Sequence, residues 1–193
     1  SSLAYLGYLS GHKTIADTVN DELFSSFIRQ QWKTEIIPTL APIADVDYSE
    51  YCEKLHERYA NPSIRHSTWQ IAMDGTQKLP QRLLNTLQDN LDSGRSSPLI
   101  IAAIAGWMRY VAGTDDAGDP IDVRDALADE IARLVRDKTG SPAAIVDSLL
   151  SMKKVFPQQI TSSAEIRGQL VDVYTDYAEI GVRKSLAKLL GSK

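Results

Sequence analysis

After Pro98 the chain reads Leu99-Ile100-Ile101-Ala102-Ala103-Ile104-Ala105-Gly106-Trp107-Met108, apolar on nearly every face of a helix. A helix of that kind is buried on all sides, in a protein core or in a membrane. The run is shorter than the ~20 residues that a bilayer span needs. It is therefore predicted to be the central buried helix of a globular core, opened at its N-terminal edge by Pro98. Gly106 allows another helix to approach closely. Arg109 and Tyr110 are the polar exceptions. They are either satisfied inside the fold or aimed at a cavity.

The rest of the chain supplies helices to surround it. Leu3, Tyr5, Leu6 and Leu9 predict a helix ending near Gly11, a candidate C-terminal cap. Residues 17–37 predict one long helix. Its first turns carry Asp17, Asp21 and Glu22, and its apolar face runs from Val19 through Phe24, Phe27 and Ile28 to Trp32 and Ile36. Pro38 and Pro42 end it. Residues 48–59 predict another, with Tyr51, Leu55, Arg58 and Tyr59 on one side. Leu79, Leu83, Leu84, Leu87 and Leu91 keep helical spacing up to a stop at Asp92-Ser93-Gly94. Further helices are predicted over 125–136, ended by Lys138-Thr139-Gly140, and over 142–155. The last, over 163–190, is kinked near Gly181 and capped by Ser162 or Ser163. No segment alternates as a strand. The fold class is all-α, a single multi-helix domain.

Composition narrows the function. With 43% hydrophobic and 24% charged residues, the 193-residue chain is ordinary for one soluble domain. A net charge of −4 leaves no basic excess to neutralise phosphates, which speaks against nucleic acid and acidic membranes as partners. The single cysteine, Cys52, excludes an internal disulfide and fits a reducing compartment, the cytoplasm. No metal site is expected: His12 and His56 read as exposed, and Asp115, Asp116 and Asp119 lack the alternate-ligand spacing of a calcium loop. There is no Gly-x-Gly-x-x-Gly after a strand, no Cys-x-x-Cys and no P-loop. The absence of an initiator Met and the apolar opening Leu3-Ala4-Tyr5-Leu6 read as a piece of a longer polypeptide.

One stretch, residues 61–84, gathers polar groups. It opens with an Asn61-Pro62 turn and has a second turn signal at Asp74-Gly75. Lys78 and Arg82 stand four apart on one side of a helix expected to begin near Leu79, with Pro80 in its first turn. Two cations at a helix N-terminus form an anion site. Arg65, His66 and Gln70, just upstream, can fold back beside them. The plainer reading makes these surface cations on an amphipathic helix.

The string Asn61-Pro62-x-Ile64, then Trp69-Gln70-Ile71-Ala72-Met73-Asp74-Gly75-x-Gln77-Lys78-Leu79-Pro80-x-Arg82, resembles the C-terminal domain of the mannitol dehydrogenase family. These are long-chain, polyol-specific NAD-dependent dehydrogenases. The likeness is nearest their fructuronate reductase (D-mannonate oxidoreductase) branch, and it extends to residues 3–11 and 106–118. It implies a helical substrate domain, similar in kind to that of 6-phosphogluconate dehydrogenase, spanning 1–193 and docked on the protein's own N-terminal Rossmann domain, which binds NAD. The family's catalytic Lys, Asn and His, spaced Lys-x-x-x-x-Asn-x-x-His, would stand just before Ser1, so this chain alone is expected to be inactive. Lys78 matches a family lysine that reaches substrate oxygens. Gln70 stands where mannitol dehydrogenases carry an arginine contacting the polyol, which favours a sugar acid. Its carboxylate would be clamped by Lys78 with Arg82, or by Arg65 and His66. The implied reaction interconverts D-mannonate and D-fructuronate; the alternatives are another polyol 2-dehydrogenase or a tagaturonate reductase. A reading from another class is a non-catalytic helical module that uses 99–111 and 163–190 to bind a partner. The residues that separate NAD from NADP lie outside the chain, and the oligomeric state is not specified.

Overall fold

The structure, a computed structural model, describes residues 1–138 and 140–191; Thr139, inside the predicted stop at 138–140, lies outside them. The apolar run forms α8 (Pro98–Val111), and every residue from Leu99 to Met108 is buried. Tyr110 and Val111 are buried too, and Arg109 is partly so. Around it pack α1 (Ser2–Leu9) and α12 (Ala164–Ile180), with α3 (Glu22–Gln31), α9 (Ala128–Val135) and α10 (Pro142–Leu150) completing the enclosure. At Gly106 α1 packs closely on α8: a Cβ there would lie 2.6 Å from Leu6 Cδ2. Tyr177 on α12 donates its hydroxyl to the Ala102 carbonyl of α8 at 3.0 Å. The remaining elements are α2 (Ile15–Asn20), α4 (Tyr48–Ala60), α5 (Thr68–Ala72), α6 (Gly75–Leu79), α7 (Asn85–Asp92), α11 (Gln158–Thr161) and α13 (Val182–Leu189). Among the described residues there is no strand, only two isolated bridges, so the predicted all-α class holds. No described helix is long and apolar enough to cross a membrane.

Several predicted helices are shorter than their hydrophobic periodicity suggests. The helix over 17–37 breaks at Asp21, which turns extended (φ −80°, ψ 124°) and accepts a hydrogen bond from Leu23 N–H, starting α3. The piece before it begins earlier than predicted, at Ile15, because Thr14 and Asp17 form a capping box. After Gln31 the chain widens into a π turn over Trp32–Ile36 and tightens into a 3-10 turn that contains Pro38. The long C-terminal helix is two. Gly181 takes φ 81°, and the Asp116 carboxylate accepts Val182 N–H at 2.7 Å to start α13. Ser163, not Ser162, caps α12. The helix over 142–155 stops at Leu150. Tyr51 faces outward, 59% exposed.

Neither unassigned histidine is the solvated residue expected. His12 is half-buried, its Nε2 3.4 Å from Asp21 Oδ2 and its ring edge-on to Phe24. His56 Nε2 lies 2.8 Å from Ser25 Oγ. Arg109 donates through its two Nη atoms to the Thr114 carbonyl and hydroxyl and to the Asp115 carbonyl, while its buried Nε has no partner among the described residues and the side chain lines a cleft of about 180 Å³. Asp115 accepts Ala117 and Asp119 N–H groups, which makes the 113–120 loop a self-bonded turn. Among the described residues no group of His, Cys, Asp and Glu is arranged to hold a metal.

One buried carboxylate escaped the sequence reading. Glu35 is 2% exposed, and its two oxygens accept Leu99 N–H (2.8 Å) and Ile100 N–H (2.7 Å), capping the free end of α8. Burial pushes its carboxyl up to about 7, against the opposite pull of the two N–H donors. The folded chain therefore holds this proton more tightly than the unfolded chain, whose value is near 4.5. The stability from this group is complete below pH 4.5 and is lost as pH rises through about 7. Glu35→Gln, neutral throughout, should remove this component. Thermal unfolding by circular dichroism should show the wild-type midpoint falling relative to the variant's between pH 5 and 8; parallel midpoints would contradict it.

Candidate functional site

The helix carrying Lys78 and Arg82 begins one turn earlier than predicted. Asp74 adopts the left-handed conformation (φ 56°, ψ 39°), and its carbonyl accepts Gln77 and Lys78 N–H groups. α6 therefore starts at Gly75, and Pro80 lies inside the helix rather than at its start. Proline offers no N–H to the ladder. Pro80–Leu84 widens into a π turn, closed by Asn85 N–H on the Pro80 carbonyl, before α7 continues. No helix starts near Leu79, so the anion site expected at such a start is corrected: Lys78 falls in the first turn of α6, whose Thr76 N–H is already taken by the Asp125 carboxylate, and Arg82 lies in the π turn beyond. Gly75 is required by packing: a Cβ there would lie 2.4 Å from Trp107 Nε1 and 2.8 Å from the Tyr5 hydroxyl.

Lys78 is half-buried. Its ammonium donates to the carbonyls of Met73 (2.5 Å) and Ile71 (3.3 Å), both in the stretch leading into the Asp74 turn. Those bonds use two of its three N–H groups. Arg82 is exposed, with Nη1 3.4 Å from Ser1 Oγ. Both Arg82 and Lys78 lie close enough to the Ser1 nitrogen, at the start of α1, for their charges to act on it. The structure thus brings Lys78, Arg82 and the start of α1 together. Beside them, Ser1, Ser2, Trp32, Leu55, Tyr59 and Arg82 are among the residues lining a cleft of about 130 Å³.

The other predicted residues do not join this group. His66 is exposed and lines a separate cleft of about 80 Å³ with Ile15, Arg58, Tyr59 and Ile64. Tyr59 borders both clefts. The His66 carbonyl accepts Ile15 N–H at 2.9 Å, which ties that turn to α2. Arg65 and Gln70 are exposed and line neither cleft.

The structure adds a strap that spacing did not reveal. Residues 121–125 cross the α5–α6 turn and hold it at three points. Trp69 Nε1 donates to the Asp122 carbonyl at 2.8 Å, and Asp74 N–H to the Arg124 carbonyl at 2.9 Å. Thr76 donates both its N–H (2.8 Å) and its hydroxyl to the Asp125 carboxylate. Asp125 is therefore not the first residue of an amphipathic helix as predicted; α9 begins at Ala128. Its partner stands 49 residues away, so no local pattern announces it. Behind the turn lie Tyr5 and Tyr110 hydroxyls and Trp107 Nε1, buried and without a partner among the described residues.

Comparison with known proteins fits this architecture. The family model described as mannitol dehydrogenase C-terminal domain matches residues 1–178. An Escherichia coli K12 oxidoreductase of uncharacterised activity, YeiQ, is 41% identical over 98% of this chain and 38% of its own length. The D-mannonate oxidoreductase of the same organism is 40% identical over 98% of this chain and 38% of its own length. Among solved structures, the ternary complex of Pseudomonas fluorescens mannitol 2-dehydrogenase with NAD and D-mannitol superposes on 100% of this chain and 38% of that one. Its TM-score is 0.92 and its identity 28%. The chain spans 38% of the length of each of these relatives.

The packing at Gly75 is directly testable. Gly75→Ala places a methyl group against two fully buried ring systems. It should destabilise the chain by ~1–3 kcal/mol, the usual cost of overpacking a core. A lowered chemical-denaturation midpoint would register this; an unchanged midpoint would show that Trp107 and Tyr5 do not confine the turn.

Proposed function

The chain belongs to the mannitol dehydrogenase family, and on that premise we propose that it is the substrate-binding domain of an NAD-dependent dehydrogenase interconverting D-mannonate and D-fructuronate. The observation that carries this reading is the gathering of Lys78 and Arg82 against the start of α1, in a chain 40% identical to a D-mannonate oxidoreductase. Lys78 keeps one N–H and its positive charge for a substrate oxygen, while the Met73 and Ile71 carbonyls hold it in place. Arg82 supplies a planar, permanently charged fork suited to the carboxylate of a sugar acid. In this reading Gln70, on the exposed side of α5, takes no part in gripping a polyol through charge, and Arg65 and His66 belong to the turn rather than the clamp.

The proposal seats NAD mainly outside this chain. Among the described residues there is no strand, Gly-rich turn and helix unit to cradle a pyrophosphate. The nicotinamide supplies the hydride-transfer chemistry. The proposal assigns its binding, and the proton-transferring residues, to a Rossmann domain elsewhere in the intact protein. This chain's share is binding and orientation. The likeness to a mannitol complex at 28% identity favours a polyol as the second reading.

The test is to express the full-length protein and follow NADH absorbance with D-fructuronate, D-tagaturonate, D-fructose and D-mannonate. Turnover of fructuronate and mannonate is expected; activity confined to fructose would overturn the sugar-acid assignment. In that protein, Lys78→Ala should lower kcat/KM by ~100-fold, the scale of losing one charged donor to the reacting substrate. An unchanged kcat/KM would remove Lys78 from the site.

A further inference from the structure

We propose that Asp125 is the positioning residue of the site: its carboxylate locks Thr76, and through it the turn whose carbonyls hold the Lys78 ammonium. This rests on the reading of Lys78 as a substrate-binding group.

Four observations converge on Asp125. First, its two oxygens take both donors of Thr76, the N–H and the hydroxyl, two residues before Lys78. Among the described residues its one other hydrogen bond is local, from Leu127 N–H at 2.9 Å. Second, the turn before Thr76 needs outside support. Asp74 sits at φ 56°, a region that a non-glycine residue occupies at a cost. Its N–H is satisfied by the neighbouring strap, at the Arg124 carbonyl. Third, the turn has no room to retreat, because Gly75 lies against Trp107 and Tyr5. The Asp125 charge also acts on Tyr5, adding to the effect of burial that raises its hydroxyl well above the ordinary range. Fourth, Lys78 bonds to the carbonyls of Ile71 and Met73, on the far side of the same turn. Its head group is therefore located relative to the turn, not merely to its own helix.

The consequence is preorganisation. A free lysine head loses rotamer entropy when it is fixed. Here that ordering precedes substrate binding, so less is lost when substrate arrives. The strap supplies the rigidity. Residues 121–125 follow the loop anchored by Arg109 at the end of α8, so the position of Lys78 is referred back to the central helix.

The experiment is a double-mutant cycle in the full-length protein, read on whichever substrate it turns over. Asp125→Ala should lower kcat/KM by ~10- to 100-fold when Lys78 is present, the scale of a displaced binding group. In a Lys78→Ala background the same change should cost less than ~3-fold. Equal losses in both backgrounds would assign Asp125 a general structural role and overturn the proposal. Thr76→Val, which removes only the hydroxyl bond, serves as the milder variant and should show the same dependence on Lys78. A second readout needs no turnover: the rate at which an amine-reactive reagent labels Lys78, quantified by peptide mass spectrometry. Asp125→Ala and Thr76→Val should raise it several-fold with the fold intact by circular dichroism; an unchanged rate in both would refute the link. Turnover of a polyol alone, with the coupling present, would sink the sugar-acid reading and leave the positioning role standing.

Discussion

A helix that is apolar on every face must be surrounded, and the rest of this chain is arranged to do that for α8. Each of its Leu and Ile side chains contributes ~1.5–3 kcal/mol when fully removed from water. That gain is available only if its free N–H groups also find partners, because an unmade buried hydrogen bond costs about as much as a side chain gains. Glu35 meets the need by reaching from the π turn after α3 to Leu99 and Ile100. Gln31, one turn before, donates to the Leu99 carbonyl and accepts the Ser2 hydroxyl, so the same junction also anchors the start of α1. The opening of α8 and the opening of α1 are thus held by neighbouring side chains of one segment.

The candidate site inherits its geometry from that arrangement. Gly106 lets α1 lie close on α8, which carries Tyr5 to the wall where Trp107 already stands. Gly75 then fits against both rings, and this contact fixes where α6 begins. Lys78 stands one turn further on and Arg82 one turn beyond it, facing Ser1. The cations are surface residues in composition, but their placement is a property of the core. A change at Gly106 or Trp107 therefore acts on the site without touching any residue that would meet a ligand.

Legibility followed the range of the interactions. The buried character of α8 is local, and so are the glycine stops at Gly11 and Gly94, both at positive φ. Lys78 and Arg82 fall on one helix side by spacing alone. The substrate role proposed for Lys78 comes from the resemblance of a string of neighbouring residues to a family, and spacing alone does not carry it. What remained hidden depends on partners far along the chain. Asp116 starts α13 from 66 residues away, Asp125 binds Thr76 from 49 away, and Glu35 caps α8 across 64. The periodic pattern runs through Asp21 and Gly181 as though each helix continued, since the apolar face is kept on both sides of the break. Pro80 misled for a different reason. Proline marks a helix start in most contexts, but a π turn accommodates its missing N–H inside one. His66 lines a different cleft from Arg82, and main-chain bonds tie its turn to α2, which no local pattern announces.

The central claim is that Lys78, held by the turn it follows, meets the substrate. A crystal structure of the full-length protein with NAD and a bound sugar acid tests it most directly. The account predicts the Lys78 ammonium ~2.7–2.9 Å from a substrate oxygen, with its bond to the Met73 carbonyl retained. A substrate bound without contact to Lys78, whose ammonium then serves only the Ile71 and Met73 carbonyls, would contradict it.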